Sequence, residues 1–246
     1  RYDMHRSSAV RRFLGGKLDR LMSSAALITA GNRYLADRAK AAGARRIEIV
    51  PTVVDLNAYT QRPVPVPTQP PSIGWIGTPS TWTEYMVPMM PLLTQVAEGR
   101  GARIAVVGAG RTAEAHPLLD NLPWTEDSEV TRIHAMDIGI MPLTDTLWAR
   151  GKCGYKLIQY MACGLPVIAS PVGVNAEIVE HGVNGFLASS EAEWTEALRT
   201  LLSDPALRAR MGEAGRRKIE RNYSLQVWGP RVAQMLRDAA NQGRRI

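Results

Sequence analysis

A chain of 246 residues, 45% of them hydrophobic and 22% charged, has ordinary globular composition and can bury a core without disulfide staples. Its two cysteines, Cys153 and Cys163, lack metal-ligand spacing, and no apolar run approaches the roughly 18 residues of a membrane span. A net charge of +7, from 30 basic and 23 acidic residues, favours anionic partners. The sparse aromatics (6%) and the lack of a recognised motif argue against nucleic acid.

The chain opens Arg1-Tyr2-Asp3-Met4-His5, without an initiator Met or an apolar leader, as expected for the middle of a longer protein. Ser7 to Met22 is predicted as a basic amphipathic helix carrying Arg11, Arg12, Lys17 and Arg20. Two readings stay open for it and for the basic stretch from Arg208 to Arg221: solvated helix faces, or a surface resting on anionic lipid. A strand over Ala25 to Thr29, a helix over Asn32 to Ala42 stopped by Gly43, and a buried strand over Arg46 to Pro51 make a βαβ unit. The prolines from Arg62 to Pro71 read as a stiff linker and domain boundary.

Beyond the linker, strands are predicted over Ser72 to Gly77, Arg103 to Val107, Asp137 to Met141, Pro166 to Ala169 and Gly185 to Ala188. Helices are expected over Tyr85 to Glu98 (bent by Pro88 and Pro91), Glu126 to Ala135, Lys152 to Cys163 and Asn175 to Glu180. From Glu191 the chain reads as helical, with breaks near Asp204-Pro205 and Tyr223-Ser224. This alternation predicts an α/β fold: a Rossmann-like parallel sheet with helices on both faces, plus a partial second α/β domain.

Ligands of such sheets bind outside the carboxyl ends of the strands. Val107-Gly108-Ala109-Gly110-Arg111-Thr112-Ala113 fits a dinucleotide pattern, but Pro117, Pro123 and Trp124 follow where a clean helix should; a strand-ending turn is the duller alternative. Arg150-Gly151-Lys152-Cys153-Gly154-Tyr155-Lys156 is more informative. Glycines allow close approach, a helix N-terminus receives phosphate, and Lys152 and Lys156 are spaced to share a helix face. A plain surface lysine pair is the alternative. Trp124 is either a nucleobase flank or a packing residue, and His5, His116, His134 and His181 are scattered as structural or solvent-facing residues.

The run Gln159-Tyr160-Met161-Ala162-Cys163-Gly164-Leu165-Pro166-Val167-Ile168-Ala169-Ser170, then Gly173, Glu177-Ile178-Val179 and Gly182-Val183-Asn184-Gly185-Phe186, resembles the donor-domain signature of retaining glycosyltransferases of family 4. Upstream, Ala30 to Ala36 and Ile49 to Asp55 resemble the end of that family's first domain, and Ile73 to Gly77 the first strand of its second. The resemblance spans roughly residues 23 to 240 and implies a GT-B fold, a nucleotide-sugar donor, retention of configuration, and no metal or other cofactor. It implies a remnant of the acceptor-side domain over 1–60, a linker over 61–71, the nucleotide-sugar domain over 72–222, and a closing helix over 223–246 that crosses back.

Two departures are visible. The family's pair of glutamates, seven residues apart, falls at Gly151 and Gln159, and Gly77-Thr78-Pro79-Ser80 lacks the family's usual Arg and Lys. The expected diphosphate site is therefore Arg150 to Lys156, with Gln159, Gly77, Thr78 and Trp124 near the ribose and base; no catalytic nucleophile is identified. No Asp-x-Asp metal motif occurs in a suitable loop. The expected partners are a nucleotide sugar, an unknown glycan, lipid or other acceptor, an anionic membrane touched peripherally from the cytoplasmic side, and a second copy or missing N-terminal partner. A first domain of about 100 to 150 residues would be only half present. A non-catalytic nucleotide-sugar-binding module or partner subunit is the rival reading.

Overall fold

The computed structural model describes residues 6–62 and 70–243, and within these leaves aside the side chains of residues 10, 11, 13, 242 and 243. Most of the proline run, His5 and Arg244-Arg245 thus lie outside the described residues. The chain divides into two compact units, 1–52 with 228–246, and 53–227.

In the smaller unit the single N-terminal helix expected from the sequence is two, α1 (Ser8–Leu14) and α2 (Lys17–Ser24). Gly15-Gly16 interrupts them, because glycine loses more backbone freedom in a helix than any other residue. Strands β1 (Ile28–Ala30) and β2 (Ile47–Ile49) pair in parallel around α3 (Arg33–Ala41), as the βαβ reading requires. Asn32 caps α3 by accepting from the Leu35 amide at 2.9 Å. Ile49, expected inside, is exposed.

The larger unit carries β3 (Ser72–Ile76), β4 (Arg103–Val107), β5 (Leu119–Leu122), β6 (Ile138–Met141), β7 (Val167–Ala169) and β8 (Gly185–Leu187). All pair in parallel, in the order β5-β4-β3-β6-β7-β8. Alternate residues feed two cores. Ile73, Trp75, Ile104, Val106, Ile138 and Ile140 pack under one helical layer, whereas Ile76, Ala105, Val107, Met141 and Val167 pack under the other.

The helix after β3 starts earlier than predicted. Thr78 caps α4 (Pro79–Thr81) in a reciprocal box with Thr81, and a π-helical turn over Trp82–Met86 and a 3-10 turn over Val87–Met89 lead into α5 (Met90–Glu98). The widened and tightened turns absorb Pro88 and Pro91. The remaining helices are α6 (Glu126–His134), α7 (Leu147–Arg150), α8 (Tyr155–Ala162), α9 (Asn175–Ile178), α10 (Glu191–Ser203), α11 (Pro205–Asn222) and α12 (Leu225–Gly243). The breaks at Asp204 and Tyr223 fall where the sequence places them. β5 and α7 were not anticipated.

Gly139 on β6 lets α8 approach the sheet: a Cβ there would overlap the Tyr160 ring. The buried Tyr160 hydroxyl then accepts from the Ile76 amide at 2.9 Å, fastening α8 to the end of β3. Segment 53–62 belongs to the larger unit. The Val54 amide donates to the Tyr223 carbonyl, the Thr60 carbonyl meets His134 Nε2 at 2.8 Å, and the Arg62 amide donates to the Cys163 carbonyl. At the amino end of the sheet Arg62 and Arg208 both face Asp137, which also accepts from the Ser72 amide at 2.9 Å. Arg208 is buried, and Lys218 pairs with Glu180 at 2.8 Å, so this basic stretch is not uniformly a solvated face.

Candidate functional site

Strand order decides where a ligand can sit. From β3 the chain crosses to β4 on one side, and from β6 to β7 on the other, so the topological switch lies between β3 and β6. The crevice outside their carboxyl ends is the natural binding place. It is flanked by the segment from Gly77 to Ser80 after β3 and by the long segment from Pro142 to Gly154 after β6. α8 returns antiparallel to the strands, so its N-terminus opens on that same edge.

Gly154 caps α8 in the left-handed region (φ 67°), where L side chains are strained, and a Cβ there would also overlap Ile178. The helix therefore starts at Tyr155, three residues later than predicted. Lys152 lies before it, not on a shared helix face. The charge of Lys152 is nonetheless felt at Lys156. Lys152 Nζ stands 5.2 Å from the centroid of the Tyr85 ring, and Lys156 Nζ stands 5.0 Å from that of Trp75. Trp75 in turn packs edge-on against Trp82, whose indole donates to the Thr112 carbonyl at 3.1 Å.

Lys156 is half-buried, and among the described residues no carboxylate forms an ion pair with it. Burial first, and the neighbouring charge of Lys152 second, push its ammonium down to about 8. Such a group gains most from an incoming anion. Arg150 differs: Asp145 grips its guanidinium through two hydrogen bonds of 2.7 and 2.8 Å, and holds its own carboxyl below the usual range by doing so. Gly151 caps α7, Cys153 is half-buried, and Tyr155 is exposed. On the opposite lip Thr78 shares hydrogen bonds with Ser80 and Thr81. Gly108-Ala109-Gly110 leads into a 3-10 turn, Gly110–Thr112, then β5, and not into the helix a dinucleotide site needs.

Gln159 is buried, and its amide nitrogen donates to Tyr59 Oη at 2.8 Å and to Glu129 Oε1 at 2.6 Å. Tyr59 also donates to Glu129, and Trp124 Nε1 donates to Glu129 Oε2 at 2.6 Å. Burial, followed by this carboxylate, raises the Tyr59 phenol, so it stays protonated and donating. The sequence reading named Gln159 and Trp124 but missed Glu129, Tyr59, Trp75 and Tyr85. Position 59 precedes the linker, and only folding brings it to α8.

A family model described as glycosyl transferases group 1 matches residues 70–204, more than half of the chain. This chain belongs to that family. The chain is 29% identical, over 171 residues, to the GDP-mannose-dependent monoacylated alpha-(1-6)-phosphatidylinositol monomannoside mannosyltransferase of Corynebacterium glutamicum, covering 64% of this chain and 44% of that protein. The D-inositol 3-phosphate glycosyltransferase of Pseudarthrobacter chlorophenolicus is 31% identical over 105 residues, 42% of this chain and 24% of the relative. The matched region thus spans less than half the length of either. Among solved structures, Anabaena HepE in complex with UDP and glucose superposes with a TM-score of 0.71 at 18% identity, over 92% of this chain and 68% of that one. A Rickettsia africae glycosyltransferase gives 0.73 at 15% identity, over 91% and 67%. At these identities the superpositions establish the GT-B type of fold and nothing finer.

Proposed function

We propose that the larger unit holds a nucleoside-diphosphate sugar outside the carboxyl ends of β3 and β6, and that the protein transfers its sugar to an acceptor with retention and without a metal ion. The observation that carries this reading is Lys156, a half-buried ammonium with no carboxylate ion-paired to it among the described residues, beside the N-terminus of α8 at the topological switch point. Solved HepE complexes contain UDP and UDP-glucose, and the Corynebacterium relative is named for GDP-mannose, so both donor types fit the reading.

In this reading Lys156, Lys152 and the first-turn amides of Tyr155 and Lys156 receive the diphosphate. Arg150, Gly151, Cys153 and Gly154 shape the loop around it. Gly77 and Thr78 form the facing lip, and Gln159 and Trp124 lie toward the ribose and base. During transfer the bond from the anomeric carbon to the β-phosphate oxygen breaks, and its electron pair stays on that oxygen. The new bond to the acceptor oxygen forms on the same face, and the acceptor's proton passes to the leaving phosphate. Two ammonium groups and a helix N-terminus stabilise the growing charge.

The absence of any side chain at Gly151 favours keeping a second reading, a donor-binding module or partner subunit without catalysis. Sugar transfer or slow donor hydrolysis separates the two. We further assign the residues before 53 to the acceptor-side domain, 72–222 to the donor domain and 223–246 to the closing helix, with 53–62 part of the larger unit. Contact with an anionic cytoplasmic membrane face is proposed from the basic helices α1 and α2; no described helix is long and apolar enough to cross a membrane. Calorimetry with nucleoside diphosphates tests the assignment: replacing Lys152 and Lys156 by Ala weakens diphosphate binding far more than nucleoside binding. Equal loss of both overturns it.

A further inference from the structure

The N-terminal half of α8 and the turn leading into it present no carboxylate to a nucleotide, since positions 151 and 159 are Gly and Gln. Folding nonetheless delivers one from another helix. Glu129, in the first turn of α6, reaches across to Gln159, whose amide nitrogen lies 2.6 Å from Oε1. Tyr59 donates to that same oxygen, and the Trp124 indole donates to Oε2 at 2.6 Å. A carboxylate offers about four acceptor sites. Three are filled here, all by neutral donors, and among the described residues no cation forms an ion pair with Glu129. Among the described residues Oε2 accepts from Trp124 only, on the side of that half-exposed indole, which follows β5.

Distance along α8 says what could reach it. Gln159 follows Lys156 by three residues, about 4.5 Å at 1.5 Å rise per residue. A diphosphate held at Lys156 carries a ribose as its next group, within reach of the Gln159–Glu129 pair. We infer that Glu129 is a specificity residue for the nucleotide, accepting a hydrogen bond from a ribose hydroxyl, and that Gln159 and Trp124 position it. This rests on the reading of the Lys152–Lys156 edge as the diphosphate site. The amide at 159 follows from the same geometry: a second carboxylate 2.6 Å from Glu129 would repel it and could not donate.

The test compares UDP and GDP with their 2′-deoxy and 3′-deoxy forms by calorimetry on the full chain. The variants are Glu129→Gln, Gln159→Glu and the double exchange, each checked for folding by its thermal melt. The wild type is expected to prefer one ribose form over its deoxy form by about tenfold or more, the usual worth of a hydrogen bond to a charged group. E129Q, nearly isosteric, lowers that ratio at least about threefold, on the order of a fraction of such a bond. Q159E alone weakens binding of every form, and the double exchange, with carboxylate and amide traded, recovers the preference. A ribose preference unchanged in E129Q, while Lys156→Met still weakens diphosphate binding, overturns the role of Glu129 alone. Failure of the wild type to bind any nucleoside diphosphate overturns this role together with the diphosphate site.

Discussion

Replacing Lys156 by Met removes the charge while keeping the stem that lies over Trp75. A hydrogen bond from an ammonium to phosphate is worth about 1.5–3 kcal/mol, so nucleoside diphosphate affinity should fall on the order of 10- to 150-fold. Affinity for the nucleoside alone should hold within about twofold, a difference of roughly 0.4 kcal/mol. Stability moves the other way. The ammonium is held at about 8 in the fold against 10.5 for the free side chain, so the folded state disfavours the charged form. That penalty is fully present below pH 8 and disappears as pH rises from about 8 to 10.5. At pH 7, K156M should therefore melt at the same temperature as the parent or higher. Calorimetry and thermal melts on the same samples separate lost binding from lost folding. A lower melting temperature with parallel loss of nucleoside and diphosphate binding would refute the placement of this cation.

The same linkage predicts pH dependence in the unaltered protein. With the free group at about 8 and a bound phosphate restoring it toward 10.5, diphosphate affinity should fall about tenfold between pH 7 and 9, with proton uptake visible as buffer-dependent binding heats. An affinity that stays level across that window would show that Lys156 does not meet the phosphates. Arg150→Ala should weaken diphosphate binding less than K156M does, because Asp145 already grips that guanidinium. Gly154→Ala places a side chain at φ 67° and against Ile178; a loss of about 1–3 kcal/mol in urea denaturation is expected, with weaker diphosphate binding as the start of α8 shifts. Asp137→Ala leaves Arg62 and Arg208 without their shared carboxylate at the far end of the sheet. It should cost about 3–5 kcal/mol of stability and leave diphosphate affinity unchanged.

Particular residues show why parts of the fold could be read ahead of the structure. Ile104-Ala105-Val106-Val107 and Ile138-Gly139-Ile140-Met141 are continuous apolar runs because both faces of a central parallel strand are covered. β5 carries Asp120 and Asn121 between prolines; it is an edge strand paired only with β4, so half of it answers to solvent and the apolar signal vanishes. The start of α8 was misplaced by three residues because Lys152 and Cys153 are acceptable helix formers. Only the left-handed Gly154, wedged against Ile178, stops the helix extending back through them.

The sequence by itself determined the alternation of strands and helices, the family signature from Gln159 to Phe186, and the cluster of cations after β6, since each is written in neighbouring residues. Tertiary structure alone decided that Lys156 lies over Trp75 with no carboxylate ion-paired to it among the described residues, and that Glu129 and Tyr59 converge on Gln159. Glu129 and Tyr59 stand 30 and 100 residues from Gln159 along the chain. Hydrophobic periodicity governs what is local, but the partner of a charge is fixed by which strand ends the sheet brings side by side.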